Sequence, residues 1–253
     1  MTITLKTLAQ LKQQQEKIAV LTAYDAAFAH WCAQAGVEVL LVGDSLGMVV
    51  QGHPTTLPVT LEQMIYHTQM VVRGAGGRSW VVADMPFMAD ATVEQGLAAA
   101  QGLIQAGANM VKLEGGERVL PLVTRLAQLG VPVCGHLGLL PQRVLKVGYR
   151  STDPAEALVE QAQALYQAGI DMLVLECVPE TVAQTISRML PIPVIGIGSG
   201  PDTDGQVLVL YDILGLTPGH TPSFSRNFLA GCDTIQCALQ AYVQAVKSGA
   251  FPP

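Results

Sequence analysis

The sequence predicts an α/β protein in which eight parallel strands and their helices close into a (β/α)8 TIM-type barrel. Three observations lead there. Short runs rich in Val, Ile and Leu recur along the chain, and most are followed by Ala- and Gln-rich stretches with helical patterning; that alternation marks parallel βα units. Eight such runs can be counted. Most of them end in Gly or an acidic residue, and ionisable groups at several strand ends are what an active site on the C-terminal face of a barrel requires. An open doubly wound sheet shows the same alternation, so the strand ends, more than the count, favour closure.

Taken in order, residues 1–17 are polar and interrupted by Lys and Gln, which reads as a helix outside the barrel rather than a signal peptide or membrane span. Strands are expected at residues 18–24, 37–44, 80–85, 110–115, 131–138, 172–177, 193–200 and 206–212. Helical patterning fills 26–35, 61–73, 93–106, 118–129, 154–168 and 180–190, and residues 225–247 supply the closing helix or helices. Three helices end in the same Gln-Ala-Gly phrase before the next strand, with Gly36, Gly107 and Gly169 as helix stops. Any helix, Gly stop and buried strand would look like this, so the phrases do not establish a repeat. Only five residues separate the seventh and eighth strands, whereas a parallel crossover needs about a dozen. Either that helix is reduced to a turn or the last strand lies elsewhere.

With 253 residues, 50% hydrophobic and only 13% charged, the whole chain, 1–253, fits one large domain and excludes a disordered one. A net charge of -6, with no basic run interleaved with aromatics, argues against nucleic acid. No apolar run reaches spanning length without Gly, Pro or charge, which argues against the membrane. The cysteines (Cys32, Cys134, Cys177, Cys232, Cys237) are odd in number and scattered, and are expected to be reduced packing residues in a cytoplasmic protein.

The candidate site gathers Asp44, Asp84, Lys112, Glu114, His136 and Glu176, each at or near the end of a predicted strand. A lone Asp there is often only a helix cap. Lys112 and Glu114 are harder to dismiss: they lie two apart in an apolar strand, so both face inward, and burying an unpaired charge costs several kcal/mol. Independent caps would not all fall on one barrel face. Asp44, Asp84 and Glu114 are hard oxygen donors suited to Mg2+, whereas Cys134 and His136 have too few companions for zinc. Strands two and four are not neighbours, so Glu114 is expected to reach the ion less directly than the two aspartates do.

The strings TAYD, LVGDSLGMVVQGH, TLPVT, ADMPFM, GANMVKLEGG, VPVCGHLGLLPQ, LVLECVP, PVIGIGSG, TDGQVLVLYD and RNFLA, in this order between about residues 21 and 229, closely resemble the ketopantoate hydroxymethyltransferase family. The resemblance implies a barrel akin to the phosphoenolpyruvate mutase and isocitrate lyase group, a Mg2+ ion and 5,10-methylenetetrahydrofolate as one-carbon donor. It also implies 3-methyl-2-oxobutanoate as the oxo-acid acceptor and a homo-oligomer. By the same resemblance Asp44, Asp84 and Glu114 hold the metal, Ser45 and Lys112 contact the oxo acid together with the two aspartates, Glu176 is the proton acceptor, and His136 is an active-site histidine. The chain departs from the family after GHLGLLPQ: a longer Gly-rich loop with a Gln-Gly-Arg element is replaced by KVGYRSTDPAEA. Two other readings compete. One is a Mg2+-dependent carbon-carbon lyase or mutase of the wider barrel group, and the other a non-catalytic barrel that cradles phosphate in Gly196–Gly200.

Overall fold

The computed structural model describes residues 2–151, 153–219 and 221–253; His220, to which the sequence gives no role, lies outside them. Eight strands, β1 (Ile18–Thr22), β2 (Val39–Val42), β3 (Trp80–Asp84), β4 (Met110–Glu114), β5 (Val133–Gly138), β6 (Met172–Glu176), β7 (Val194–Ile197) and β8 (Gly205–Leu208), close into a parallel barrel in sequence order. β8 completes it by pairing with β1 from Ile18↔Gly205 to Leu21↔Leu208. The predicted (β/α)8 barrel is therefore the fold. Several strands are shorter than expected, because residues such as Asp44, Gly115 and Cys177 turn out of the ladder at the barrel mouth.

Period-2 alternation sorts the strand residues into two cores. Ile18, Val20, Val39, Leu41, Val82, Met110, Cys134, Met172, Val174, Ile195 and Val207 fill the barrel interior. Their neighbours in sequence, such as Leu21, Leu40, Val81, Val111 and Leu173, pack outward beneath the helices. A helix at the N-terminal end, α1 (Leu5–Gln13), plugs the barrel floor with its buried Leu8 and is pinned there by a 2.6 Å ion pair from Lys12 to Asp204. Its start is fixed by a capping box between Thr4 and Thr7.

The outer layer consists of α2 (Ala26–Ala35), α4 (Leu61–Ala75), α5 (Val93–Gln105), α6 (Leu120–Gln128), α8 (Ala155–Ala168) and α9 (Glu180–Met189), with a short α3 (Leu46–Val49) after β2 and α7 (Val144–Val147) after β5. Gly36, Gly107 and Gly169 all take positive φ (92°, 103° and 106°), as expected of helix stops. The polar residues just beyond such stops have a use that the sequence did not disclose. The polar residue that precedes each even-numbered strand accepts the first free N–H of the odd-numbered strand before it. Glu38 accepts from Ala19, Asn109 from Val81, Asp171 from Val133 and Asp204 from Val194, at 2.8–3.0 Å. A buried floor of strand ends would otherwise leave these donors unpaired.

The alternative left open between β7 and β8 is decided, and three expectations are corrected. Among the described residues no helix lies between β7 and β8, which are joined by a turn, so the short connection was real. The eighth strand ends at Leu208 rather than continuing to Asp212, because the chain winds at once into α10 (Leu210–Ile213), an apolar turn that periodicity cannot tell from strand. The closing helix, α11 (Ile235–Lys247), begins only at its N-cap Thr234, and the described residues from Leu214 to Asp233 form turns and extended chain that bury Phe228. Cys32, Cys134 and Cys177 are free, but Cys232 and Cys237 form a disulfide across the start of α11. Their Cα atoms lie 5.7 Å apart because the helix start folds the chain back on itself, within disulfide range. Cysteine usage therefore gives no argument for a reducing compartment. Among the described residues no helix is long and apolar enough to cross a membrane.

Candidate active site

All six ionisable residues singled out from the sequence lie at the C-terminal end of the barrel. Asp84, Glu114 and Glu176 are the last residues of β3, β4 and β6, Lys112 is two residues before Glu114, His136 lies within β5, and Asp44 is in the turn that leads to α3. Strand pairing sets Asp84 beside Lys112 and Glu114 beside His136.

Side chains then connect them into one line across the mouth. Lys112 Nζ donates to Asp84 Oδ1 at 2.7 Å, both groups being 5% exposed. The other Asp84 oxygen accepts the Asp44 backbone N–H at 3.1 Å. His136 stands between two carboxylates, with Nδ1 3.7 Å from Glu114 Oε1 and Nε2 3.2 Å from Glu176 Oε2. Neither contact is an aligned hydrogen bond, so the pairing is one of charge. Glu176 is the most open of the set, 18% exposed and facing the mouth.

The electrostatics follow from burying so many charges together. Burial raises the pKa of Asp44 well above the usual carboxylate range, and the charges of Asp84 and Glu114 push it further in the same direction. Burial opposes the Lys112 ammonium, yet Asp84, Glu114 and Asp44 outweigh it and hold its pKa above the ordinary lysine value. For Glu114 burial is outweighed by His136, by Lys112 and by the Gln142 N–H, which keep it below the usual glutamate value. Burial and Lys112 likewise disfavour a charged His136, but Glu114 and Glu176 prevail and raise its pKa to about 9. Four carboxyl groups crowd one lysine and one histidine in this buried space, an excess of acidic oxygens that suits a divalent cation. Asp44 and Asp84 offer hard oxygens side by side. Among the described residues, however, no three His, Cys, Asp or Glu side chains converge at ligating distance.

Three residues that the sequence left without a role frame this line. Gln142, in a 3₁₀ turn at Pro141–Arg143 after β5, donates its side-chain amide to Asp44 Oδ2 and to the Met85 carbonyl, both at 2.9 Å, and its backbone N–H to Glu114 Oε2 at 3.0 Å. Tyr24, fully buried, meets the Ser45 hydroxyl at 2.9 Å and so fixes the side chain expected to contact the oxo acid. Ser199 donates to the Leu175 carbonyl at 2.8 Å and accepts the Val178 N–H at 3.1 Å, bracketing Glu176 and Cys177. Cys177 adopts φ 52°, a left-handed conformation that costs a non-Gly residue about 1–3 kcal/mol and fixes the direction in which the chain leaves Glu176. Ser199 is thus used within the fold. Gly196 and Gly200 lie where a Cβ would strike Thr203 and Glu180, so close packing accounts for the Gly-rich stretch without a phosphate.

Known proteins are similar to this chain along its whole length. The family model described as ketopantoate hydroxymethyltransferase matches residues 2–253. Relatives named 3-methyl-2-oxobutanoate hydroxymethyltransferase include one from Alkalilimnicola ehrlichii, 57% identical over 99% of this chain and 92% of its own length. One from Hahella chejuensis, with the same name and the suffix 2, is 54% identical over 100% of this chain and 97% of its own length. Solved structures show the fold alone. A phosphoenolpyruvate phosphomutase from Streptomyces platensis superposes with a TM-score of 0.65 at 13% identity, covering 83% of this chain and 82% of that one. A 2,3-dimethylmalate lyase of the PEP mutase/isocitrate lyase superfamily does so with 0.59 at 17%, covering 82% and 81%. The match along the whole chain, at identities above one half, shows that this protein belongs to the ketopantoate hydroxymethyltransferase family.

Proposed function

We propose that the protein adds a one-carbon unit from 5,10-methylenetetrahydrofolate to 3-methyl-2-oxobutanoate, giving 2-dehydropantoate for pantothenate biosynthesis. The observation that carries this reading is the line of paired charges from Lys112 through Asp84 and Asp44, and from Glu114 through His136 to Glu176, across one barrel mouth. On this reading the mouth has a metal side, at Asp44 and Asp84, and a base side, at Glu176.

Asp44 and Asp84 would hold Mg2+, with Glu114 as a third, less direct carboxylate. When bound, the ion supplies Lewis-acid stabilisation for the negative charge that develops on the oxo-acid oxygen. Lys112 and Ser45 hold the substrate carboxylate. Glu176, open to the mouth, takes the proton from C3, and His136 holds Glu176 in place by its charge. Water adds to the folate iminium and the carbon-nitrogen bond breaks, releasing formaldehyde and tetrahydrofolate; the enolate attacks the formaldehyde carbon, and a proton returned to the new alkoxide completes the hydroxymethyl group. A cytoplasmic homo-oligomer belongs to the same proposal.

The test is formation of 2-dehydropantoate with and without folate donor and Mg2+; turnover that needs neither would overturn the reading in favour of another oxo-acid chemistry. Glu176→Gln should abolish deuterium exchange at C3 of the oxo acid while binding of the ion persists. Undiminished exchange would remove Glu176 from the role of base.

A further inference from the structure

Asp44, just beyond β2, and Glu114, at the end of β4, have a whole strand between them, and the sequence offers nothing to bring them to one ion. The structure does. Among the described residues Gln142 alone bonds to both: its side-chain amide takes Asp44 Oδ2 and its backbone N–H takes Glu114 Oε2. A second donation from the same side-chain nitrogen, to the Met85 carbonyl just beyond β3, anchors the amide so that it cannot swing away with Asp44. The remaining acceptors of the trio are also assigned. Asp84 is held by Lys112 and by the Asp44 N–H, and Glu114 Oε1 faces His136. Asp44 Oδ1 is left without a hydrogen-bond partner among the described residues.

We propose that Gln142 is a positioning residue that joins Asp44 to Glu114, turning Asp44 Oδ1 toward the space shared with Asp84 and so setting the affinity for a divalent cation. The inference rests on the metal assignment made above for this site. A neutral amide suits the task, because it stabilises one carboxylate oxygen without placing a positive charge where the cation must come. The turn that carries Gln142 is itself held across the mouth. Tyr149, farther along the same segment, donates to the Pro54 carbonyl at 3.3 Å on the β2 side. The segment therefore spans the mouth from β5 to the loop after α3, and Gln142 is delivered from above the carboxylates.

The experiment uses the intact protein and Mn2+ as the probe, followed by its paramagnetic resonance signal and by calorimetry. Gln142→Met keeps the length of the side chain and removes the donor. It should weaken Mn2+ binding about tenfold, the size of one charge-assisted hydrogen bond. The bound-Mn2+ spectrum should broaden, while the thermal midpoint in chelator stays within a few degrees of wild type. Gln142→Asn, whose amide stops a methylene short of Asp44, should weaken binding to a similar extent, and serves if the Met variant folds poorly. Wild-type affinity and spectrum in a folded variant would overturn the proposal while leaving the metal site standing. Failure of the wild-type protein to bind Mn2+ would overturn both this proposal and the metal assignment beneath it.

Discussion

His136 is expected to be an imidazolium in the folded, metal-free protein at neutral pH, and its charge should be measurable as stability. The ring is 3% exposed, between Glu114 and Glu176, and those two carboxylates raise its pKa to about 9 against the opposition of burial and Lys112. A histidine whose folded pKa exceeds its unfolded value of about 6.5 contributes stability that is complete below that value and is lost as pH rises through the folded pKa. The gap, at about 1.36 kcal/mol per pKa unit, amounts to about 3 kcal/mol. Urea unfolding in chelator at pH 6.5 and pH 9.5 should therefore show a loss of that order in the wild type. His136→Asn should show much less dependence over the same window, although it is less stable at pH 6.5. Carbon-13 ring shifts give the direct check, since the signal missing from the variant should titrate near 9. A ring that is neutral at pH 7.5, or equal pH slopes in the two proteins, would refute the account of charge at the site.

Lys112→Met should lower stability by about 3–5 kcal/mol at pH 8 in chelator, because it leaves Asp84 and its neighbours buried without their ammonium. An unchanged urea midpoint in this variant would count against the ion pair as a source of stability. Gly74→Ala should destabilise α4 against α2 by about 1–3 kcal/mol despite the better helix propensity of Ala. An added Cβ would lie on the Ala26 carbonyl, and a neutral or stabilising result in urea would show that the helices can part. Half-burial raises the pKa of Asp171 above its usual value, outweighing the Val133 N–H, so its ionisation disfavours the folded state increasingly as pH rises past about 4. Asp171→Asn keeps an acceptor, as Asn109 does at the equivalent place, and should raise the melting midpoint at pH 7 but not at pH 3; equal gains would discount the charge.

The sequence disclosed those parts of the site that obey a period. Lys112 and Glu114 could be placed inside the barrel because strand alternation leaves only two faces, and their charge made an unassisted burial too costly to be incidental. The strand ends located the mouth for the same reason. Gln142 could not be found in this way: it lies in a turn, carries no charge, and its partners are 28, 57 and 98 residues away. Ser199 was equally hidden, since a hydroxyl in a Gly-rich turn has no signature until the opposing carbonyl is known. The overshoot of β8 into α10 shows the limit of hydrophobic patterning, because Leu210 and Ile213 are buried whether the chain is extended or coiled. The polar caps on the barrel floor occur once in every two strands, a spacing too long and too varied in residue type, Glu, Asn, Asp and Asp, to stand out by eye.

Tyr242, on α11, is wholly buried, and its hydroxyl lies 2.9 Å from the carbonyl of Val20 on β1 and equally from that of Gln206 on β8. The two strands whose pairing closes the barrel are thus fastened by a residue 222 positions after its first partner. Bringing such distant segments together carries the entropic cost of closing a long loop. A chain without α11 has β1 and β8 without this fastening, so the closure of the barrel depends on a helix that belongs to neither strand.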